Sequence, residues 1–248
     1  MIIDCHVHIL NAEDSHLREL IAAADRCGID KLCITSLGRT WAEFPPVQDL
    51  EDAASDIADA CANYPERFIG GVYVSAEHVE ASLTLLRRHL VPGGCRFVKL
   101  WVSQFADDPR LEPIAECCIE RNAPILAHAW IKATGNMAQE STCHHVVHLA
   151  RRFPDLRIWL AHASGRWEEA ARIVCGAPNV CMDISGGEPE DGIVQTLLKH
   201  IGPDRLFFGS DAPGRNMAVQ MSKVHSAGLG EHEQAMILGE NARRWLDV

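Results

Sequence analysis

No apolar run in the 248-residue chain is long enough to cross a bilayer. The opening MIIDCHVHIL has no basic leader and carries Asp4, His6 and His8 inside its apolar stretch, so it does not read as a signal peptide. Positive charge is also scarce. Lys and Arg number 23 against 34 Asp and Glu, for a formal net charge of -11. Nucleic acid and anionic membranes are bound by clustered cations, so neither is an expected partner and a small molecule is. Ten cysteines occur without a single CxxC pair, at strand and helix positions such as Cys5, Cys33, Cys61, Cys95 and Cys181. They read as reduced, mostly buried thiols of a cytoplasmic protein. No linker-like stretch, low-complexity segment or strong internal repeat marks a second domain, and the GxGxxG loop of a doubly wound dinucleotide fold is absent.

What is present is 47% apolar residues and 23% charged ones, enough for a packed core and too apolar for disorder. Short apolar runs alternate with longer amphipathic segments, the pattern of repeated βα units. Eight strands are expected, starting near Ile2, Lys31, Phe68, Arg96, Pro124, Leu156, Asn179 and Arg205, with a mean spacing of about 29 residues. Helices are expected around Ser15–Cys27, Asp49–Asn63, Val79–Leu90, Arg110–Arg121, Thr142–Phe153 and Arg166–Cys175, punctuated by Gly28, Pro65, Pro154 and Pro178. The predicted fold is α/β: a single (β/α)8 TIM barrel over residues 1–248, closed by a C-terminal helix near Glu231–Leu246.

The first strand carries Ile3, Cys5, Val7 and Ile9 at odd positions and Asp4, His6 and His8 at even ones. Alternation would turn the odd set to the helices and both histidines to the barrel interior, where two imidazoles can clamp one ion. Three later strands also end in polar residues of metal-binding type: His128 in PILAHAW, His162 in LAHASG and Asp211 in FFGSDAP. Each lies at the mouth end of its strand, where barrel enzymes gather catalytic groups. Imidazole nitrogen and carboxylate oxygen suit zinc and its neighbours, and a catalytic ion lowers the pKa of bound water and polarises a carbonyl. His144 and His148 stand at i, i+4, but without an HExxH-type carboxylate they read as helix-surface residues.

The ordered set DCHVH, FVKLW, PILAHAW, LAHASG, FGSDAP and ILGENARRWL resembles the amidohydrolase superfamily, in its amidohydrolase-related branch, over essentially the whole chain. That resemblance implies one divalent ion, zinc by ligand type, held by His6, His8, His128 and Asp211, with a second ion left open. It also implies that Asp211 handles a proton. His162 would be either an acid/base or polarising group or a second-ion ligand. Lys99 reads as an ordinary cation paired with Asp211 or a substrate carboxylate, against the carbamylated metal-bridging lysine of some members. The main expectation is hydrolysis of a small ester, lactone or amide by metal-activated water. The alternative is a lyase, a non-oxidative decarboxylase or hydratase of an unsaturated or aromatic carboxylic acid, and a barrel that binds without turnover is the last option.

Loops at the strand ends should shape the pocket. They offer Arg39, Trp101, Trp130, Lys132, Arg166 and Arg215 as substrate contacts, with Trp41, Trp167 and Glu188 nearby. Several cations at the mouth of an acidic protein suggest an anionic substrate, with the tryptophans as apolar walls. A homo-oligomer is compatible with the sequence.

Overall fold

Eight short strands alternate with helices along the chain, as the spacing of about 29 residues predicts. The computed structural model describes residues Met1–Val248. The strands are β1 (Ile3–His8), β2 (Lys31–Thr35), β3 (Phe68–Tyr73), β4 (Phe97–Leu100), β5 (Ile125–Ala127), β6 (Ile158–Leu160), β7 (Val180–Asp183) and β8 (Leu206–Phe207), hydrogen-bonded in sequence order. All seven neighbouring pairs are parallel. The circle is closed by backbone bonds from Cys5 N–H to Phe208 O (3.0 Å), Asp211 N–H to His6 O (2.7 Å) and His8 N–H to Ala212 O (2.7 Å). The fold is therefore the expected TIM barrel.

The helices are α1 (Asp14–Arg26), α2 (Val47–Asn63), α3 (Val79–His89), α4 (Glu112–Glu120), α5 (Cys143–Arg152), α6 (Trp167–Val174), α7 (Ile193–Ile201), α8 (Met217–His225), α9 (Glu231–Ala235) and α10 (Asn241–Leu246). The first six match the predicted spans within three residues at either end, and α7 and α8 complete the set. The C-terminal helix is not continuous. A π-turn at Met236–Glu240 divides it, where Gly239 lies so close to the Met1 carbonyl that an added Cβ would approach its oxygen to 2.2 Å. No helix is long and apolar enough to cross a membrane. All ten cysteines are free. His144 and His148 are exposed on α5 and meet Glu169 and Asp107, as helix-surface residues do.

The apolar interior forms two layers. A 64-residue cluster, including Val7, Ile34, Val98, Ile158 and Val180, packs the strands against the helices. A 12-residue cluster, including Ile3, Cys5, Phe97, Leu126, Trp159, Cys181 and Phe207, fills the barrel, and Ala242 and Leu246 of α10 close its base. Side chains two apart on a strand share a face. Phe97 on β4 therefore puts Lys99 above it in the barrel, Leu126 does the same for His128, and Cys181 for Asp183. The filled lower layer is the floor of a polar upper one.

The expected alternation of β1 holds only in part. Val7 and Ile9 join the outer layer, but Ile3 and Cys5 belong to the inner cluster. The cause is a register shift between Asp4 and Val7 against β2: Asp4 pairs with Leu32 and Val7 with Ile34, so β1 carries an extra residue. Such a bulge interrupts the two-residue period. It allows Cys5 to fill the floor while His6 and His8 still turn inward.

The floor is tightly packed at Gly71, where a Cβ would lie 2.4–2.8 Å from the Phe97 ring. Gly71→Ala should destabilise the barrel by about 1–3 kcal/mol, the usual range for overpacking a core. Gly176→Ala, where a Cβ meets nothing within 4 Å, serves as the control. Urea unfolding of the two variants checks this, and equal midpoints would contradict the packing described.

Candidate metal centre

The residues at the mouth are held by unusual backbone. His162, Ala163 and Ser164 follow β6 with φ of 61°, 42° and 58°, and Asp211 has φ 66°. Left-handed backbone at non-glycine residues costs on the order of 1–3 kcal/mol each and persists where the surroundings enforce it. Here the enforcement is visible. Asp211 N–H is bonded to His6 O, and His162 N–H donates to the Asp183 carboxylate at 2.9 Å. Two glycines leave room for the rings: a Cβ at Gly186 would stand 2.6 Å from His162 Nδ1, and one at Gly209 2.9 Å from His6 Cβ.

One donor atom from each of His6, His162 and Asp211 lies within 4.8 Å of the others. His8 Nε2 adjoins them, 3.4 Å from Asp211 Oδ1, and His6 Nε2 is 3.9 Å from the same oxygen. His128 stands one ring further out, with Nδ1 3.2 Å from His162 Nε2 and Nε2 turned to Glu140 Oε1 at 2.8 Å. The structure thus groups His162, more closely than His128, with His6 and Asp211. Lys99 is fully buried and sets Nζ 3.1 Å from His6 Nε2, with no direct ion pair to Asp211, one of its two expected partners, the other being a substrate carboxylate. Below these groups Asp183 has no solvent exposure and accepts from His6 Nδ1 (3.0 Å), Trp159 Nε1 (2.9 Å), Ser185 N–H (2.9 Å) and the Ser185 hydroxyl (2.5 Å) besides His162 N–H.

Burial dominates the electrostatics. It pushes the His8 imidazole down to about 4, and His128 and His162 also fall below the ordinary histidine value for the same reason. Burial lowers the Lys99 ammonium to about 8. For the two carboxylates burial acts upward and is overcome. His162, His8 and His6 hold Asp211 well below the usual range, and His6, His162 and Ser185 do so for Asp183. Neutral imidazoles beside an ionised carboxylate are the donor states that a divalent first-row ion requires. The donor set fits such an ion.

The outlying residues divide into walls and paired charges. Trp41 packs 5.5 Å from His8 and 6.1 Å from Trp101, while Trp130 lies 4.7 Å from His162. A cleft of about 570 Å³ opens beside Trp130, lined also by Lys132, Arg166, Arg215, Glu188 and Glu190. Three of the four expected cations already have acidic partners. Lys132 Nζ is 2.8 Å from Glu140, Arg166 is 3.5 Å from Glu169, and Arg39, largely exposed, is 4.0 Å from Asp56. The Arg215 side chain makes only a 3.1 Å bond to the Gly214 carbonyl.

The amidohydrolase family model matches residues 3–248 of this barrel. The chain belongs to the amidohydrolase family. Solved structures similar to this amidohydrolase include 2,6-dihydroxybenzoate decarboxylase from Rhizobium (TM-score 0.81, 16% identity, covering 99% of this chain and 98% of that one). Another is 5-carboxyvanillate decarboxylase from Sphingomonas paucimobilis (TM-score 0.77, 17% identity, 93% and 82%). A third is a dihydroxybenzoic acid decarboxylase from Polaromonas sp. JS666, with bound manganese and the inhibitor 2-nitroresorcinol (TM-score 0.79, 16% identity, 99% and 96%). At these identities the likeness concerns the fold. A search of curated proteins found no match.

Sequence reasoning missed Asp183, Ser185, Glu140 and Thr35 of this amidohydrolase. Asp183 had a signal: it ends the apolar run VCMD as Asp211 ends its own. Thr35, 3.0 Å from His8 Nδ1, also ends its strand. Glu140 lies in a loop with no periodicity to point to it.

If His6 and His8 serve an ion, the wild-type protein should retain about one equivalent of divalent metal after dialysis. His6→Ala/His8→Ala should lose it while keeping the wild-type circular dichroism, since both lie in the mouth layer above the intact floor. Elemental analysis of the two preparations decides, and equal metal content would remove both histidines from the ligand set.

Proposed function

We propose that this amidohydrolase is a metal-dependent lyase that decarboxylates a small aromatic carboxylic acid. The observation that carries the reading is the set of indole walls, Trp41 against His8 and Trp130 against His162, with Trp101 beside Trp41. Flat apolar indoles packed directly on the histidines of the cluster offer faces on which a flat ring could stack, because aromatic pairs favour centroid separations of roughly 4.5–7 Å. Arg215 supports an acidic substrate as the one mouth cation of the expected set without an acidic partner. The three structural neighbours named above act on aromatic acids by their names, and one of them holds manganese, which supports a divalent ion without favouring zinc.

A bound divalent ion would supply Lewis acidity toward the substrate's oxygen atoms. His6, His8, His128, His162 and Asp211 are the residues that would hold it. Decarboxylation breaks the bond between ring and carboxylate, the electron pair stays on the ring carbon, carbon dioxide leaves and one proton is taken up at that carbon. Asp211, 3.4 Å from His8 Nε2 and partly open to the mouth, is our choice to carry this proton. Its carboxyl is held ionised at rest, so it first collects the proton from a substrate hydroxyl or from water. The same resting state suits a base that deprotonates water, and this observation supports hydrolysis of an ester, lactone or amide as the second reading.

Incubation of the manganese- or zinc-loaded protein in D2O with hydroxybenzoates and with lactones separates the two. The expected result is carbon dioxide release with one deuterium on the vacated ring carbon. Lactone opening with no carbon dioxide from any acid would replace the lyase by the hydrolase. Asp211→Asn keeps an oxygen for the ion but cannot act as the acid or base, so it should retain most of its metal and lose at least ~100-fold in turnover. Turnover near the parent rate would exclude proton transfer by Asp211.

A further inference from the structure

Glu140 lies in the loop between β5 and α5, yet its side chain is only 1% exposed. Oε1 is 2.8 Å from both His128 Nε2 and Lys132 Nζ, and Oε2 accepts the Met137 backbone N–H at 3.0 Å. A carboxylate oxygen held against an ammonium has no proton to offer, so at the His128 contact it accepts and Nε2 carries the hydrogen. Neutral imidazole has one such hydrogen, which leaves the lone pair on His128 Nδ1. That atom faces His162 Nε2 at 3.2 Å.

The same logic fixes His162. Its Nδ1 is 3.0 Å from Ser185 Oγ, and the serine hydroxyl is 2.5 Å from Asp183 Oδ1. The one hydroxyl hydrogen goes to the carboxylate, so the serine oxygen accepts from His162 Nδ1–H, and Nε2 is bare. Two lone pairs then face each other across 3.2 Å. This is unfavourable in itself but close to the spacing that two nitrogens would have if both bound one divalent ion at about 2.0–2.1 Å.

We infer that Glu140 is a positioning residue: by engaging Nε2–H it fixes the His128 tautomer that presents Nδ1 to His162 and to an ion bound beside it. Lys132, expected from the sequence to contact substrate, is in this arrangement the cation that keeps Glu140 an acceptor. The affinity consequence rests on reading the cluster as an ion site. The tautomer consequence needs neither an ion nor any particular reaction.

Long-range 1H–15N spectra of metal-free, 15N-labelled protein read the tautomer directly, with His128 assigned by its loss in His128→Gln. In the wild type, His128 should show a protonated Nε2 and a bare Nδ1. Glu140→Ala should give a mixture of tautomers and weaken zinc binding about 10–100-fold, the usual effect of removing a ligand's hydrogen-bond partner. Glu140→Gln, whose carbonyl can still accept, should keep the tautomer and lose less than tenfold. A wild-type His128 protonated on Nδ1 overturns the proposal, as does a Glu140→Ala protein with unchanged tautomer or unchanged zinc affinity. If Glu140→Ala does not fold, the wild-type and Glu140→Gln spectra carry the test. A wild-type protein with the Nε2–H tautomer and no affinity for zinc supports the positioning role while sinking the metal-centre reading.

Discussion

Asp183 sits at the end of β7 with no solvent exposure and accepts hydrogen bonds from a ring nitrogen of β1, an indole of β6, the His162 backbone N–H in the turn after β6, and both the backbone and hydroxyl of Ser185. A buried ionised carboxylate is tolerable only with its lone pairs fully engaged, and leaving even one buried donor without its partner costs about 1–3 kcal/mol. The five donors and the acceptor therefore hold each other in place. His6 receives its orientation from this contact, with Nδ1 committed downward and Nε2 turned toward Lys99 Nζ and the Asp211 carboxylate. The same carboxylate anchors the N–H of His162, the residue at which the chain turns into left-handed backbone.

That anchoring explains why the strained segments lie where they do. Residues 162–164 follow β6 and are tied to Asp183 of neighbouring β7, and Asp211 follows β8 and is tied to His6 of neighbouring β1, in each case by a backbone donor on a segment of positive φ. The strain brings His162 and Asp211 inward from chain that has already left its strand. Beneath them the inner cluster from Ile3 to Phe207, sealed by Ala242 and Leu246, gives the polar layer a rigid base. The polar layer is free to serve chemistry because the apolar one supplies the stability.

The barrel was legible because its period is long and repeated: eight apolar runs at regular spacing leave few alternatives, and each strand start was placed within two residues. His6, His8, His162 and Asp211 were legible for a related reason, as polar residues that interrupt or follow apolar strand runs. Lys99 was visible, but its partner was not, since which buried group an amine meets depends on strands distant in sequence. The bulge in β1 escaped because Ile3 and Cys5 are apolar like Val7 and fit either face, so a shift of phase leaves no mark in the pattern. Glu140 escaped for the opposite reason. In a loop there is no phase to break, and its burial comes from His128 and Lys132, which no local rule connects to it.

The cations at the mouth illustrate the limit of reading charge from sequence. Lys132, Arg166 and Arg39 looked like a welcome for an anion, but each has an acid beside it, and the Lys132 charge is spent on a buried carboxylate behind His128. Only the local balance of charge acts on a ligand, because neighbouring opposite charges cancel within a few ångströms. On the function proposed above, electrostatic attraction at this mouth narrows to Arg215 and to the metal the donor set would hold, and discrimination among acids would fall to shape. Shape is set by Trp41, Trp101 and Trp130, carried on the segments that leave β2, β4 and β5. The donor set can polarise an oxygen and move a proton in several reactions. On the same proposal the walls would decide which molecule brings its bond to that point, and the loops around the centre would set the reaction, as they do for barrels that share one donor layout across several chemistries.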